Sequence, residues 1–258
     1  MTGYRFAVLG DPIQHSRSPE LHGAMLRIAG LKGDYQRILA DPEVLERSID
    51  ELRSGNWDGL NVTMPFKEEA ARLSDDLEPL AAKAGSVNTL VRTAATVVGH
   101  STDCLAFRDL LANRFGGLGS VLVLGSGGSA AAALSSISDR PQVYLSARNE
   151  LRAEELASRL GGSVLGWGTA VAGALVINAT PLGVTDRSVP VEVLGVASAL
   201  IDLPYGPHPT SSARFANENG IDLVDGHEFL MRQAIGSFAL WTGVDVTLGA
   251  LVEELRKD

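Results

Sequence analysis

The chain has 258 residues, 45% of them hydrophobic and 21% charged, enough apolar material for two small packed domains and too much for a disordered chain. A formal net charge of −9, with no run of Lys or Arg, argues against a nucleic-acid or anionic-membrane partner, so any bound anion must be held by a local cluster of donors. The single cysteine, Cys104, excludes an intrachain disulfide and a thiolate metal site, and the apolar stretch at 5–9 is too short for a signal peptide or a membrane span.

The first half of the chain alternates strand-like and helix-like patterns. Residues 6–9 predict a short strand ending at Gly10. Ser18-Pro19-Glu20 predicts a helix start, with Ser at the cap, Pro at the first helical position and an acid near the positive end. Leu21, Ala24, Met25 and Ile28 give that helix an apolar face, with His22 on the polar side and Gly30 at the stop. Residues 35–39 predict a second strand. Asp41-Pro42 opens a helix reaching about Arg53, residues 59–64 form a third strand, and Pro65 opens the helix after it. Segments 87–91 and 96–99 pair as a hairpin.

A helix near Asp103 leads into a second pattern. Residues 120–124 form an apolar strand, broken by Gly125-Ser126-Gly127-Gly128 and followed by an Ala-rich helix. A strand at 142–146, a helix at 150–160 and strands at 174–179 and 199–203 continue the alternation. This predicts an α/β fold with a parallel sheet and helices on both faces. From Gly226 the pattern is helical, broken near Gly243, with Asp245 as cap of the last helix. Boundaries near 103 and 230 give two α/β domains, 1–103 completed by 230–258, and 104–229.

Gly125-Ser126-Gly127-Gly128-Ser129-Ala130 lies between a buried strand and a helix. A tight turn, close approach of the backbone to a pyrophosphate and free N–H groups at a helix start all require small residues there. A glycine-rich turn without a ligand is the plain alternative. An NAD site places Asp or Glu at the end of the next strand, roughly 20 residues on. Here that position reads Ser146-Ala147-Arg148-Asn149, with Arg152 one turn further. The fixed fork of arginine donors suits a 2′-phosphate, so NADP is the expected cofactor. Solvated surface arginines are the alternative, and the nearby Glu150 leaves NAD open.

Asn61-Val62-Thr63-Met64-Pro65-Phe66-Lys67 puts a lysine in the first turn of a helix, against the helix dipole. That field favours the neutral amine a general base needs, whereas a solvated lysine balanced by Glu68 and Glu69 is the plain reading. The same segment resembles the Asn-Val-Thr-(Val/Ile)-Pro-x-Lys signature of the shikimate dehydrogenase family. Gly10-Asp11-Pro12-Ile13-Gln14-His15-Ser16-Arg17-Ser18-Pro19, Gly85-Ser86-Val87-Asn88-Thr89, Thr102-Asp103, Asn178-Ala179-Thr180-Pro181-Leu182-Gly183, Asp202-Leu203-Pro204-Tyr205 and Asp225-Gly226 with Gln233 are similar to further motifs of that family, in the same order.

The resemblance implies NADP-dependent reduction of 3-dehydroshikimate to shikimate in the cytoplasm, on an N-terminal substrate domain and a Rossmann-type NADP domain separated by a cleft. It implies Lys67 and Asp103 as the catalytic pair. Ser16 and Ser18 would hold the substrate carboxylate, and Asn61, Thr63, Asn88, Thr102 and Gln233 its ring hydroxyls, with Tyr205 also at the substrate. Gly125, Ser126, Gly127, Gly128, Ser129, Ala130, Ala147, Arg148, Asn149, Arg152, Thr180 and Gly226 would face NADP. A quinate or aminoshikimate dehydrogenase using NAD, or a cofactor-sensing relative without catalysis, are the alternatives. A monomer or homodimer is expected, and no metal, because the five histidines show no ligand spacing. Ser101, Cys104, the stretch from Gly206 to Ser211 and His227-Glu228-Phe229 depart from the family pattern. Cys104 is either a favoured thiolate in a helix's first turn or a small packing residue.

Overall fold

A computed structural model describes residues 3–137, 142–183 and 187–257 and divides the chain into two compact units. One comprises Met1–Leu105 with Met231–Asp258, the other Ala106–Leu230.

The first unit runs through β1 (Tyr4–Gly10), α1 (Ser18–Ile28), β2 (Gly33–Leu39), α2 (Pro42–Arg53), β3 (Gly59–Val62), α3 (Lys67–Leu73), β4 (Asp76–Leu77), α4 (Pro79–Ala84), β5 (Thr89–Thr93) and β6 (Thr96–His100). Its sheet has the order β2-β1-β3-β5-β6-β4; β1, β2 and β3 are parallel, and β5, the first strand of the β5–β6 hairpin, runs antiparallel to both β3 and β6. The sheet is therefore mixed, because the two hairpin strands turn back directly instead of crossing over through a helix. In α2 the Asp41 carboxylate caps the helix by accepting from the Val44 N–H at 2.8 Å. Leu45, Ile49 and Leu52, at helical spacing, face the core, while Glu46, Arg47 and Asp50 stay exposed.

The second unit follows α5 (Thr102–Asn113), which carries the chain out of the first. Its elements are β7 (Ser120–Leu124), α6 (Gly128–Ser136), β8 (Gln142–Ser146), α7 (Glu150–Leu160), β9 (Ser163–Leu165), β10 (Leu175–Asn178), α8 (Val191–Leu194), β11 (Ala199–Asp202), α9 (Ser211–Glu218) and β12 (Asp222–Val224). They form a wholly parallel sheet in the order β12-β11-β10-β7-β8-β9, a doubly wound arrangement whose direction of winding reverses between β7 and β10. Every residue of β7, β10 and β11 is buried, as expected of strands covered on both faces. Then come α10 (Gly226–Thr242) and α11 (Leu248–Leu255). Among the described residues no helix is long and apolar enough to cross a membrane.

Four local expectations are corrected. Ser18 is the first residue of α1 and not its cap; Arg17 holds the cap position, and Ser18 N–H donates to Ser16 Oγ at 3.3 Å. The third strand stops at Val62, and α3 begins at Lys67, because Pro65 lies in a turn closed by the Phe66 N–H and the Thr63 carbonyl at 3.0 Å. Thr247, not Asp245, caps α11, its hydroxyl accepting from the Ala250 N–H at 3.2 Å.

His22 is wholly buried and not on a polar face. Its ring stacks on Tyr35 at 4.3 Å and lies 5.3 Å from Trp241, and neither ring nitrogen has a hydrogen-bond partner. Burial holds its pKa down from 6.5 to about 3, so the folded protein keeps it neutral where the unfolded chain takes up a proton. The resulting stability is intact above pH 6.5 and is lost as pH falls from there toward 3. The limiting slope for one proton is about 1.4 kcal/mol per pH unit. His22→Phe, which keeps an aromatic ring in the stack, is expected to flatten this acid limb in urea unfolding measured across pH; an unchanged slope would assign the limb to other groups.

Candidate functional site

In the first unit the signature lysine and the Thr-Asp motif meet. Lys67, at the start of α3, donates from Nζ to Asp103 Oδ2 at 2.6 Å, with side chains only 15% and 7% exposed. The other oxygen, Asp103 Oδ1, accepts from Asn88 Nδ2 at 3.0 Å. The same amide nitrogen lies 2.9 Å from Thr102 Oγ1 and 3.1 Å from Gln233 Oε1, while Asn88 Oδ1 accepts from the Thr102 N–H at 2.8 Å. One carboxamide thus ties together residues far apart in sequence, Gln233 arriving on α10.

Asn61 sits beside this cluster with its amide engaged at both ends. Oδ1 accepts from the Tyr35 hydroxyl at 2.7 Å, and Nδ2 donates toward the Asn88 carbonyl at 2.8 Å and toward Thr89 Oγ1 and Ser237 Oγ at 3.0 Å each. Tyr35, Thr89 and Ser237 were missed by the sequence reading. Thr89 closes the Gly85–Thr89 motif, where it was given no role, and Ser237 lies one helical turn after Gln233, which is the signal that could have found these two. Ser16 and Ser18 are joined to each other through their hydroxyls at 3.2 Å, and Arg37 Nε fixes the Ser16 carbonyl at 2.8 Å. Thr63 packs against Gly10, where an added Cβ would fall 2.4 Å from the threonine methyl.

In the second unit Gly125, Ser126, Ala147, Arg148, Asn149 and Thr180 line one pocket of about 360 Å³ together with Trp167 and Pro181. Gly125 has φ +116°, and a Cβ there would lie 2.8 Å from the Ala179 carbonyl oxygen, so only glycine serves. Gly127 caps α6, and Gly128 and Ser129 open it; a Cβ on Gly127 would meet nothing within 4 Å, so the backbone at that helix start is open. Arg148 and Arg152 are exposed, and Asn149 Oδ1 caps α7 by accepting from the Arg152 N–H at 3.1 Å. Ala130 is fully buried. Gly226 begins α10, away from this pocket's lining, and Tyr205 lies in the second unit with its ring 5.5 Å from that of His227.

The loop that carries Thr180 is anchored from beneath. Asp202, wholly buried at the end of β11, accepts from Asn178 Nδ2 at 2.6 Å and from the Thr210 hydroxyl. Asn178 Oδ1 in turn accepts from the Thr180 hydroxyl at 2.6 Å. Burial pushes the Asp202 carboxyl above its usual range, opposed by these two hydrogen bonds.

The departures noted in the sequence have structural reasons. Ser101 Oγ accepts from the Cys104 N–H at 3.4 Å at the start of α5, and Cys104 is fully buried, its sulfur 4.0 Å from the Leu80 carbonyl. Phe229 packs its ring, tilted by 48°, against Phe107 at 4.6 Å, and Thr210 caps α9. Among the described residues no group of His, Cys, Asp or Glu is arranged to hold a metal ion.

The parallel sheet, its glycine turn at the carboxyl end of β7 and an arginine at the end of β8 place the second unit in the class of Rossmann-type dinucleotide-binding folds. Residues 8–90 match the family model of the shikimate dehydrogenase substrate binding domain. The chain is 38% identical to a shikimate dehydrogenase (NADP(+)) of Paramagnetospirillum magneticum over 92% of its own length and 91% of the relative's. It is 35% identical to the enzyme of that name from Thermus thermophilus, with 98% of each covered. A crystal structure of Thermus thermophilus shikimate 5-dehydrogenase in complex with NADP(H) and shikimate superposes with a TM-score of 0.85 at 31% identity, over 98% of this chain and 99% of that one. The chain belongs to the shikimate dehydrogenase family.

Asp202→Asn sets an amide N–H against one of two donors that now share a carboxylate. An unsatisfied buried pair of this kind costs about 1–3 kcal/mol. Chemical denaturation should show that loss, together with weaker NADP binding from a loosened Thr180 loop. Full stability in this variant would remove Asp202 as the loop's anchor.

Proposed function

We propose that this protein is an NADP-dependent shikimate dehydrogenase, catalysing the reversible reduction of 3-dehydroshikimate to shikimate in the cytoplasm. The observation that carries this reading is the buried Lys67–Asp103 pair, 2.6 Å apart and oriented by Asn88. When a carbonyl is reduced, its oxygen needs a proton. Lys67, as the ammonium, can give that proton to the reacting oxygen and stabilise the developing charge, and as the neutral amine can take it back in the reverse direction, while Asp103 holds the lysine in place.

Around this pair the first unit offers the donors a hydroxylated acid requires. The paired hydroxyls of Ser16 and Ser18 suit the carboxylate, and Asn88, Thr102, Thr63 and Gln233 suit ring hydroxyls. Asn61 reaches substrate only by exchanging one of its present partners, so its larger role is to hold β3 against β5 and α10. The reduced cofactor, NADPH, would supply the hydride that reduces the carbonyl carbon, and NADP+ would take it back in the reverse oxidation. The second unit would hold it on the Gly125–Gly128 turn and the start of α6, with Arg148 at the 2′-phosphate. Among the described residues no acidic side chain lines that pocket, which supports NADP over NAD.

Lys67→Ala is expected to lower kcat by about 10²- to 10⁴-fold, the usual share of a positioned acid–base group, while NADP affinity stays near wild type. Unaltered turnover would take Lys67 out of the chemistry. Arg148→Ala is expected to raise KM for NADP by about 10- to 100-fold, as loss of a charged hydrogen bond implies, and to leave NAD nearly unaffected. Initial rates with shikimate and with quinate, each with NADP and with NAD, read both effects. Turnover of quinate with NAD alone would move the protein to the alternative specificity.

A further inference from the structure

Trp167 has no role in the readings above, yet its position is fixed by the same strands that place Arg148. In the parallel pair β8–β9, Ser146 stands opposite Leu165. Arg148 and Trp167 each follow two residues after that pair, at the carboxyl ends of neighbouring strands about 4.8 Å apart. A side-chain bond reinforces this register, because Ser146, fully buried, donates from Oγ to the Gly166 carbonyl at 3.1 Å. The Thr169 N–H closes a turn on the same carbonyl at 3.1 Å, and Gly168 takes φ +83° within it. The indole is therefore held on a short, doubly tied loop.

Trp167 is half-buried, packed in part against the core that includes Leu122, Leu124 and Val189. It also lines the pocket that contains Gly125, Arg148 and Thr180. A tryptophan with part of its surface packed and part in an open pocket, beside an arginine, provides what a flat heteroaromatic ring needs: an apolar wall next to a cation for the phosphate on the attached sugar.

We propose that Trp167 is the aromatic wall for the adenine of the dinucleotide, acting beside Arg148 at the 2′-phosphate. The proposal rests on the reading of the second unit as the NADP-binding unit. It makes Trp167 a determinant of affinity for the adenosine half of the cofactor, without a part in proton transfer.

The test uses adenosine 2′,5′-bisphosphate, which carries the adenine and the 2′-phosphate but no nicotinamide, titrated calorimetrically into the full chain. Wild type should bind it. Trp167→Leu, which keeps apolar packing and removes the aromatic face, should weaken binding about 5- to 100-fold, the range for loss of one base-stacking contact. Trp167→Phe should recover most of that loss, while kcat at saturating NADP and the midpoint of thermal unfolding stay near wild type in both variants. In wild type, the bisphosphate should also quench the indole emission that Trp167→Phe removes. Equal affinity of wild type and Trp167→Leu overturns the role of Trp167 and leaves the NADP reading standing. Wild type that binds neither the bisphosphate nor NADP overturns the NADP reading and the role with it. A loss in Trp167→Leu matched by an equal loss in Trp167→Phe overturns aromatic contact in favour of packing.

Discussion

A polar group removed from water must find its partners inside the fold, and in the first unit the Asn88 carboxamide is where that requirement is met for several residues at once. It accepts from the Thr102 backbone and donates toward Asp103, Thr102 and Gln233, and the main-chain carbonyl of Asn88 accepts from the Val62 N–H and from Asn61 Nδ2. The strand β3, the hairpin strand β5, the start of α5 and the returning helix α10 are all tied at this point. Because Asp103 is held on one side by Asn88 and on the other by Lys67, its orientation is set before any substrate arrives. Preorganisation of this kind is what lets a weak base and a weak acid act with little rearrangement.

The second unit solves a similar problem with a carboxylate. Asp202 lies wholly buried at the end of β11, and it is retained there because Asn178, opposite it on β10, and Thr210 converge on it. The chain from Asp202 through Asn178 to Thr180 carries order from the sheet floor to the rim of the pocket. The pocket edge is thereby made of loops, while their positions are set by strands.

Much of this was legible in the sequence, and the reasons for the exceptions are specific. An apolar face at helical spacing marked α1, the Asp41-Pro42 start marked α2, and runs of apolar residues marked β7 and β10, because burial and capping leave a pattern in the chain. The three-residue strands β9 and β12 carry too few apolar residues to leave one, and β9 is the strand that sets Trp167. His22 was misplaced because an imidazole counts as polar in a helical pattern, whereas here it is one ring in an aromatic stack with Tyr35 and Trp241. The Lys67 and Asp103 motifs could be read from their resemblance to a family, but that Asn88 joins them depends on pairing between distant segments, which no local pattern encodes.

Gly226 bears on how related sequences are to be read. A side chain there would put its first carbon 2.4 Å from the carbonyl oxygen of Pro204 and 2.6 Å from that of Leu203. Backbone crowding alone forbids any other residue. A glycine kept at this position across many species would therefore record the meeting of two stretches of main chain, and would be silent about what the protein binds.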